Sequence, residues 1–378
     1  MLTIIKTYTY KILILSAFMV LFINCKNKSS DKIPESVPIK NKAENTKRFF
    51  SEDSFWNQPI GNHPEIDPDS DKWIKMLETE PTGENFSTSF KEWTVPVYEV
   101  GKNTQFIQVN NHYLSKKELE IWIPQSSDHF GHGPNFNPVP IPEGSSPDKS
   151  NDAHYAVVDR DRMLAWDMWG LRQLEDGSWE SNTGMFYRLD GTGVFKGKEL
   201  GYVDNESVHF HGPSRAAGVP IIAGLIMFDE VMAGEIKHKL SCATRFAAKQ
   251  TFVYPASWTD GYVEGGIPEG AVIQLDPSLD LNKFELTKEE IIIAKAMQEY
   301  GMVVVDIAQG QPIYVEGIWG HPDKSWEGKL HEWEDRGINA IPYKYYRILK
   351  IKDPVYKGDI RTSLGSFKDI WLPDSIEK

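Results

Sequence analysis

Short runs in which apolar and polar residues alternate, broken by Gly, Pro or Asp-Gly, dominate the chain after Phe49. A period of two puts every second side chain on one face, which a strand can bury and a helix cannot. Trp93 to Val100, Phe106 to Val109, Glu118 to Ile123, His154 to Asp159, Met163 to Trp169 and Trp179 to Tyr187 read as strands on this basis, with Asp176-Gly177 as a hairpin turn. Met302 to Ile307 and Pro312 to Val315 read as a further strand pair across Gln309-Gly310. Three segments carry helical spacing instead: Asp69 to Glu78, Phe228 to Leu240, and Lys288 to Tyr300. The last opens on a capping box, Thr287 with Glu290, and stops at Gly301. The predicted fold is therefore α+β: a β-rich sandwich or barrel of antiparallel strands with a few helices.

The first residues read differently. Lys6 and Lys11 precede an apolar run, Ile12 to Ile23, that is too short for a comfortable membrane span and suits a signal peptide, residues 1–24. Leu21 to Cys25 resembles a relaxed bacterial lipobox, which makes Cys25 the lipidation site. Residues 25–48 are rich in Lys, Asn, Ser and Pro and read as a flexible tether, leaving residues 49–378 as a single globular domain. A lipid-anchored protein of the cell envelope is the expectation. Of the two cysteines, lipidation consumes Cys25 and leaves Cys242 as a buried, inert thiol without a disulfide partner. The formal net charge of −13 argues against nucleic acid, whose phosphates want a basic footprint. No Rossmann fingerprint, P-loop or Gly-x-Ser-x-Gly elbow occurs, and no cofactor is expected.

The segment from His154 to Trp169 carries the most chemistry. Two alternating runs flank Arg160-Asp161, so an even-length loop folds them into an antiparallel hairpin. A two-residue loop sets His154 opposite Asp167 and places Trp169 beside them on the same face. An imidazole against a carboxylate forms an acid–base unit, and an indole offers a flat face to a sugar ring. The bland alternative is a cross-strand ion pair with a core tryptophan. His209 and His211 share a side in an extended segment and could contact substrate. Joined by Asp128, His129 or His132 they would form a metal site, but exposed loop histidines are commoner and no metal is expected. Arg215, four residues on from His211, and Arg188 are candidate anion clamps; Trp56 is a candidate groove residue. Glu230 and His238 complete the catalytic candidates, with Glu235 sharing a helix face with His238. Asp260 and Glu264 are further candidate carboxylates.

Several spaced motifs coincide. They are Asp53-Ser54-Phe55-Trp56-Asn57, Asp152-Ala153-His154 before Trp166-Asp167-Met168-Trp169, Ala217-Gly218-Val219-Pro220 before Glu230 and His238, Ile267-Pro268-Glu269-Gly270, and Tyr300-Gly301-Met302-Val303-Val304 with Asp306. As a set they resemble a family of secreted bacterial proteins of unassigned biochemistry. The resemblance implies a shared fold and no particular activity; His209-Phe210-His211 does not belong to the common pattern. The function expected is action on an extracellular polysaccharide, as a glycoside hydrolase with carboxylate and His acid–base chemistry. The alternatives are a polysaccharide lyase, with Arg188 or Arg215 neutralising charge beside a His154, His209 or Tyr187 base, and a non-catalytic glycan-binding lipoprotein.

Overall fold

The computed structural model describes residues 48–112, 130–131, 137–195, 215–257, 259–333, 336–352 and 355–356. All of them belong to one compact unit, Ala43–Lys378. The leader, Cys25, the tether and the expected strand Glu118 to Ile123 lie outside the described residues.

The fold is α+β and β-rich, built on two six-stranded mixed sheets. The first runs β1 (Phe86–Thr88), β17 (Gln311–Ile313), β12 (Leu240–Ala243), β16 (Met302–Asp306), β15 (Val272–Leu275) and β19 (Tyr346–Ile348). The second runs β18 (Glu316–Gly317), β2 (Val95–Glu99), β7 (Tyr155–Asp159), β8 (Leu164–Trp169), β11 (Thr183–Arg188) and β5 (Phe130–Gly131). Three smaller sheets flank them: β4 (Val109–Asn111), β10 (Trp179–Ser181) and β9 (Arg172–Gln173); β14 (Ile267–Glu269), β13 (Ala247–Phe252) and β20 (Val355–Tyr356); and β3 (Phe106–Ile107) with β6 (Val139–Pro140). Among the described residues no helix is long and apolar enough to cross a membrane.

Period-two alternation assigns the faces. Leu240, Cys242, Met302 and Val304 of the first sheet pack under the helices Ser70–Leu77 and Lys288–Glu299 through Trp73, Ile74, Leu77, Ile293 and Met297. The intervening residues Ala243, Val303 and Val305 meet Val95, Val97, Ala156, Val158, Ala165 and Tyr187 of the second sheet in a shared interior layer. The opposite face of that sheet, Tyr155, Val157, Leu164, Trp166 and Met168, is covered by Val109, Val139, Leu171 and Trp179. Full burial of a Val, Leu, Ile or Met side chain contributes ~1.5–3 kcal/mol, so these layers account for most of the driving force.

The expected strand Phe106 to Val109 divides between β3 and β4 of different sheets, and four further sequence expectations change. Met302–Asp306 and Gln311–Ile313 do not pair; β12 lies between them, parallel to β16 and antiparallel to β17. Trp179 to Tyr187 is not one strand but two in different sheets, parted at Asn182, whose N–H donates to the Trp169 carbonyl. The helix expected over Phe228 to Leu240 ends at Ala233, because Gly234 takes a left-handed φ of 94° and caps it. Glu235 and His238 consequently share no helix face, and Glu235 pairs with Lys237 at the surface. The fourth change is the hairpin register, described below. By contrast, the Thr287–Glu290 capping box forms, and Cys242 is a free, buried thiol.

Candidate functional site

The β7–β8 hairpin closes through Asp159 and Leu164, not through a two-residue turn. The Asp159 carboxylate folds over the loop and accepts from the Arg162 backbone N–H at 2.9 Å and from its guanidinium, and Met163 adopts a φ of 54°. The loop is therefore Arg160 to Met163. Its even length preserves which residues share a face but slides the pairing by two positions. Asp167 lies opposite Ala156, and His154 falls level with Trp169, one step beyond the last pair. The expected His154–Asp167 pair is thus replaced by a different environment for each residue.

Asp167 is fully buried. Its Oδ1 accepts the Tyr187 hydroxyl at 2.8 Å and its Oδ2 the Ile221 N–H at 2.5 Å. Burial pushes its pKa up to about 7, against the pull of those two hydrogen bonds and of the nearby Arg215. Tyr187 is itself buried, and burial together with the Asp167 charge raises its pKa well above 10. That is the wrong direction for a base, so the lyase role considered for Tyr187 loses its support.

Beyond Asp167 the polar cluster continues to the end of β16. The pairing of β12 with β16 is regular as far as Cys242↔Val304 and then skips to Ala243↔Asp306. A bulge of this kind re-aims the side chain that follows it. Asp306 Oδ1 accepts its neighbour's Ile307 N–H at 2.9 Å, while Oδ2 lies 3.4 Å from Arg215 Nη1. Arg215 is 1% exposed and Asp306 18%, so the pair runs from the interior to the solvent. The Arg215 guanidinium lies 3.6 Å from the Tyr314 ring centroid. The Ala217 N–H donates to the Val305 carbonyl and the Ser257 hydroxyl to that of Gly218, which anchors the turn after Arg215 against β16.

Glu269 enters from the neighbouring sheet. The Gly270 N–H donates to the Val304 carbonyl at 2.7 Å. Gly270 has a φ of 92°, and a Cβ there would strike the Val253 carbonyl, so only glycine allows this approach. Glu269 is fully buried, with the side chains of Thr259 and Asp260 as its hydrogen-bonding neighbours. Burial first, then the Asp260 and Asp306 charges, pushes its pKa well above the ordinary value. Asp306 rises to about 7 through burial and the Asp260 charge, with Arg215 opposing and Asp152 adding to the rise. Asp152 also accepts the Trp169 indole N–H at 3.4 Å, which sets a half-buried indole at the edge of the same cluster. His154, buried at 3%, follows Asp152 by two residues.

The remaining candidates separate from this cluster. Trp56 is 1% exposed, donates to the Gly193 carbonyl at 2.9 Å and belongs to the interior layer, so it is a core residue and not a groove residue. Arg188 forks onto Asp190 with two contacts of 2.6 Å, and it alternates with Tyr187 along β11, on the other face of the sheet. Glu264 pairs with Lys249 at the surface, 82% exposed. Glu230 and His238 do meet, at 3.0 Å, because Gly234 reverses the chain between them. The other His238 nitrogen contacts the Lys239 carbonyl at 2.8 Å. Both ring nitrogens are therefore engaged within the protein. His209 and His211, like Asp128, His129 and His132, lie outside the described residues. Among the described residues, no three His, Cys, Asp or Glu are grouped to hold a metal ion.

Sequence reasoning gave no chemical role to Asp306, Glu269 or Asp152, although each stands in one of the spaced motifs. The available signal was a lone carboxylate ending an otherwise apolar strand, Met302-Val303-Val304-Val305-Asp306. No known protein family, curated protein or solved structure matches the chain.

Proposed function

We propose that the protein is a lipid-anchored, extracytoplasmic enzyme that cleaves a glycan by acid–base chemistry, of the glycoside hydrolase type, at the Asp306–Asp260–Asp152 cluster. The observation that carries this reading is Asp306: a partly exposed carboxyl held near neutrality at the end of a buried strand, beside other carboxyls and a half-buried indole. A carboxyl with a raised pKa can deliver a proton to a leaving oxygen at pH 7, and a second, ionised carboxylate can serve as base or nucleophile. Asp306 takes the first role. Asp152 and Asp260 are the candidates for the second, with Trp169 offering a face to the sugar. Asp167 supports the fold behind the cluster, since its oxygens are already taken by Tyr187 and Ile221. The anchor rests on the apolar leader and Cys25.

Incubating the protein with neutral and acidic polysaccharides, and following both new reducing ends and ultraviolet absorbance of unsaturated products, tests the proposal. New reducing ends alone are expected. Unsaturated products would convert the reading to a lyase, and binding without either signal to a glycan-binding lipoprotein.

A further inference from the structure

Arg215 is buried to 1% exposure, yet its hydrogen bonding is incomplete. Its side chain is fixed from below by Tyr314 and on one nitrogen by Asp306, at a long 3.4 Å. Its Nη2 is buried and has no acceptor among the described residues. Among the described residues Arg188 closes its fork on Asp190, and Arg347 places two nitrogens on Gln274 Oε1 at 2.9 and 2.7 Å. Arg172 Nη2 and Arg245 Nε also lack a hydrogen-bond partner, but those side chains are 39% and 27% exposed against 1% for Arg215. A guanidinium carries five N–H donors and no acceptor, and a buried donor left without a partner loses its hydration uncompensated. A planar, immobilised fork with one arm unfilled fits a carboxylate from outside the chain.

We infer that Arg215 recognises a carboxylate of the substrate, so that the glycan taken by this site carries uronate residues. The inference rests on the glycan reading given above. The surrounding acids do not cancel the guanidinium charge near neutral pH. Asp167 and Asp306 each sit close to half-protonated at pH 7, and burial with its acidic neighbours pushes the Glu269 pKa well above the ordinary carboxylate value. Arg215 also lies directly beside Asp306, so a sugar carboxylate held by Nη2 brings the adjoining glycosidic oxygen toward the acid. Arg215 is in this sense a specificity-determining residue for the proposed reaction.

The test is titration calorimetry of the protein with trisaccharides of galacturonate, glucuronate and mannuronate. Each is offered as the free acid and as its methyl ester, beside neutral hexose trisaccharides, with cleavage followed in parallel. At least one free acid is expected to bind about 10²-fold or more tightly than its ester, because the ester removes the charge and keeps the shape. Arg215→Lys should weaken the free acid about tenfold or more and leave the ester unchanged, since Lys keeps the charge but loses the fork. Equal binding of acid and ester, or cleavage of neutral glycans alone, overturns the assignment and leaves the glycan reading intact. Failure to bind or cleave any glycan overturns the glycan reading, and this inference with it. If Arg215→Lys does not fold, the comparison of acid with ester on the unaltered protein decides.

Discussion

Glu290 and Glu269 are both fully buried glutamates, one on the helix Lys288–Glu299 and one at the end of β14 in a small flanking sheet. Glu290 is surrounded by donors. The Thr287 N–H reaches its Oε2 at 2.9 Å, and the His331 N–H and ring reach its Oε1 at 2.9 Å. Glu269 has the Thr259 side chain as a hydrogen-bond partner, and its charged neighbours are the acids Asp260 and Asp306. Burial is therefore common to both and cannot mark function. What separates them is whether the fold satisfies the charge. The Glu290 carboxylate closes a helix end and a loop, whereas Glu269, set beside Asp260 and Asp306, has its pKa pushed well above the ordinary value and is available to a proton-transfer site.

The largest effect expected from this contrast is on activity. Asp306→Asn keeps the shape of the carboxyl and removes the proton, and it should lower glycan cleavage by about 10²-fold or more in a protein that still unfolds cooperatively. Steady-state rates beside a calorimetric scan check both halves; a folded variant with normal turnover would remove Asp306 from the chemistry. Glu290→Ala should do the reverse. It leaves the helix N-terminus and His331 without their acceptor, at a cost of roughly 2–4 kcal/mol by chemical denaturation, with normal turnover per folded molecule.

The sequence carried the helix-backed layer well and the intersheet layer poorly, for a physical reason. Thr287 and Glu290 are three residues apart, so their cap is local and legible, as is the alternation that separates Tyr155 and Val157 from Ala156 and Val158. The hairpin register depended on a single side chain, Asp159, closing a four-residue loop, and periodicity is blind to a slip of two. Arg215, Glu269 and Asp306 come from separate strands and turns. They meet only because β12 inserts between β16 and β17 and because Gly270 lets two backbones touch. No local pattern encodes that convergence.

The third prediction concerns pH. In the fold Asp167, Asp306 and Glu316 hold their protons up to about pH 7, each chiefly because of burial. Unfolded, such groups release them at roughly pH 4. Between these values the folded chain binds more protons than the unfolded one, so stability falls as pH rises. The contribution is fully present below about pH 4 and lost above about pH 7, and for Asp167 alone it amounts to roughly 4 kcal/mol. The domain should thus melt at a higher temperature at pH 5 than at pH 8. Asp167→Asn should flatten that slope while keeping turnover. Its amide oxygen can accept from Ile221, and its NH₂ can donate to the Tyr187 hydroxyl oxygen. A flat melting profile for the unaltered protein would contradict the burial argument.

The smallest effect is expected at Glu230 and His238, two catalytic candidates of the sequence analysis that the fold brings together. Burial draws the His238 pKa down, but the Glu230 charge and hydrogen bond, with the Lys239 carbonyl, more than offset it, and the net shift is upward. The imidazolium therefore contributes stability that is fully present below about pH 6.5 and is lost as pH rises through the raised value. Glu230→Gln removes the charge and keeps a hydrogen bond. It should bring the His238 ring titration, followed by NMR, back toward or below the ordinary value, and it should cost only about 1 kcal/mol near pH 6. Turnover should not change, since neither ring nitrogen is left to accept a substrate proton. A tenfold or greater loss of turnover in a folded Glu230→Gln variant would mean that a fully satisfied pair is part of the chemistry after all, and the distinction drawn between Glu290 and Glu269 would then no longer separate structural carboxylates from functional ones.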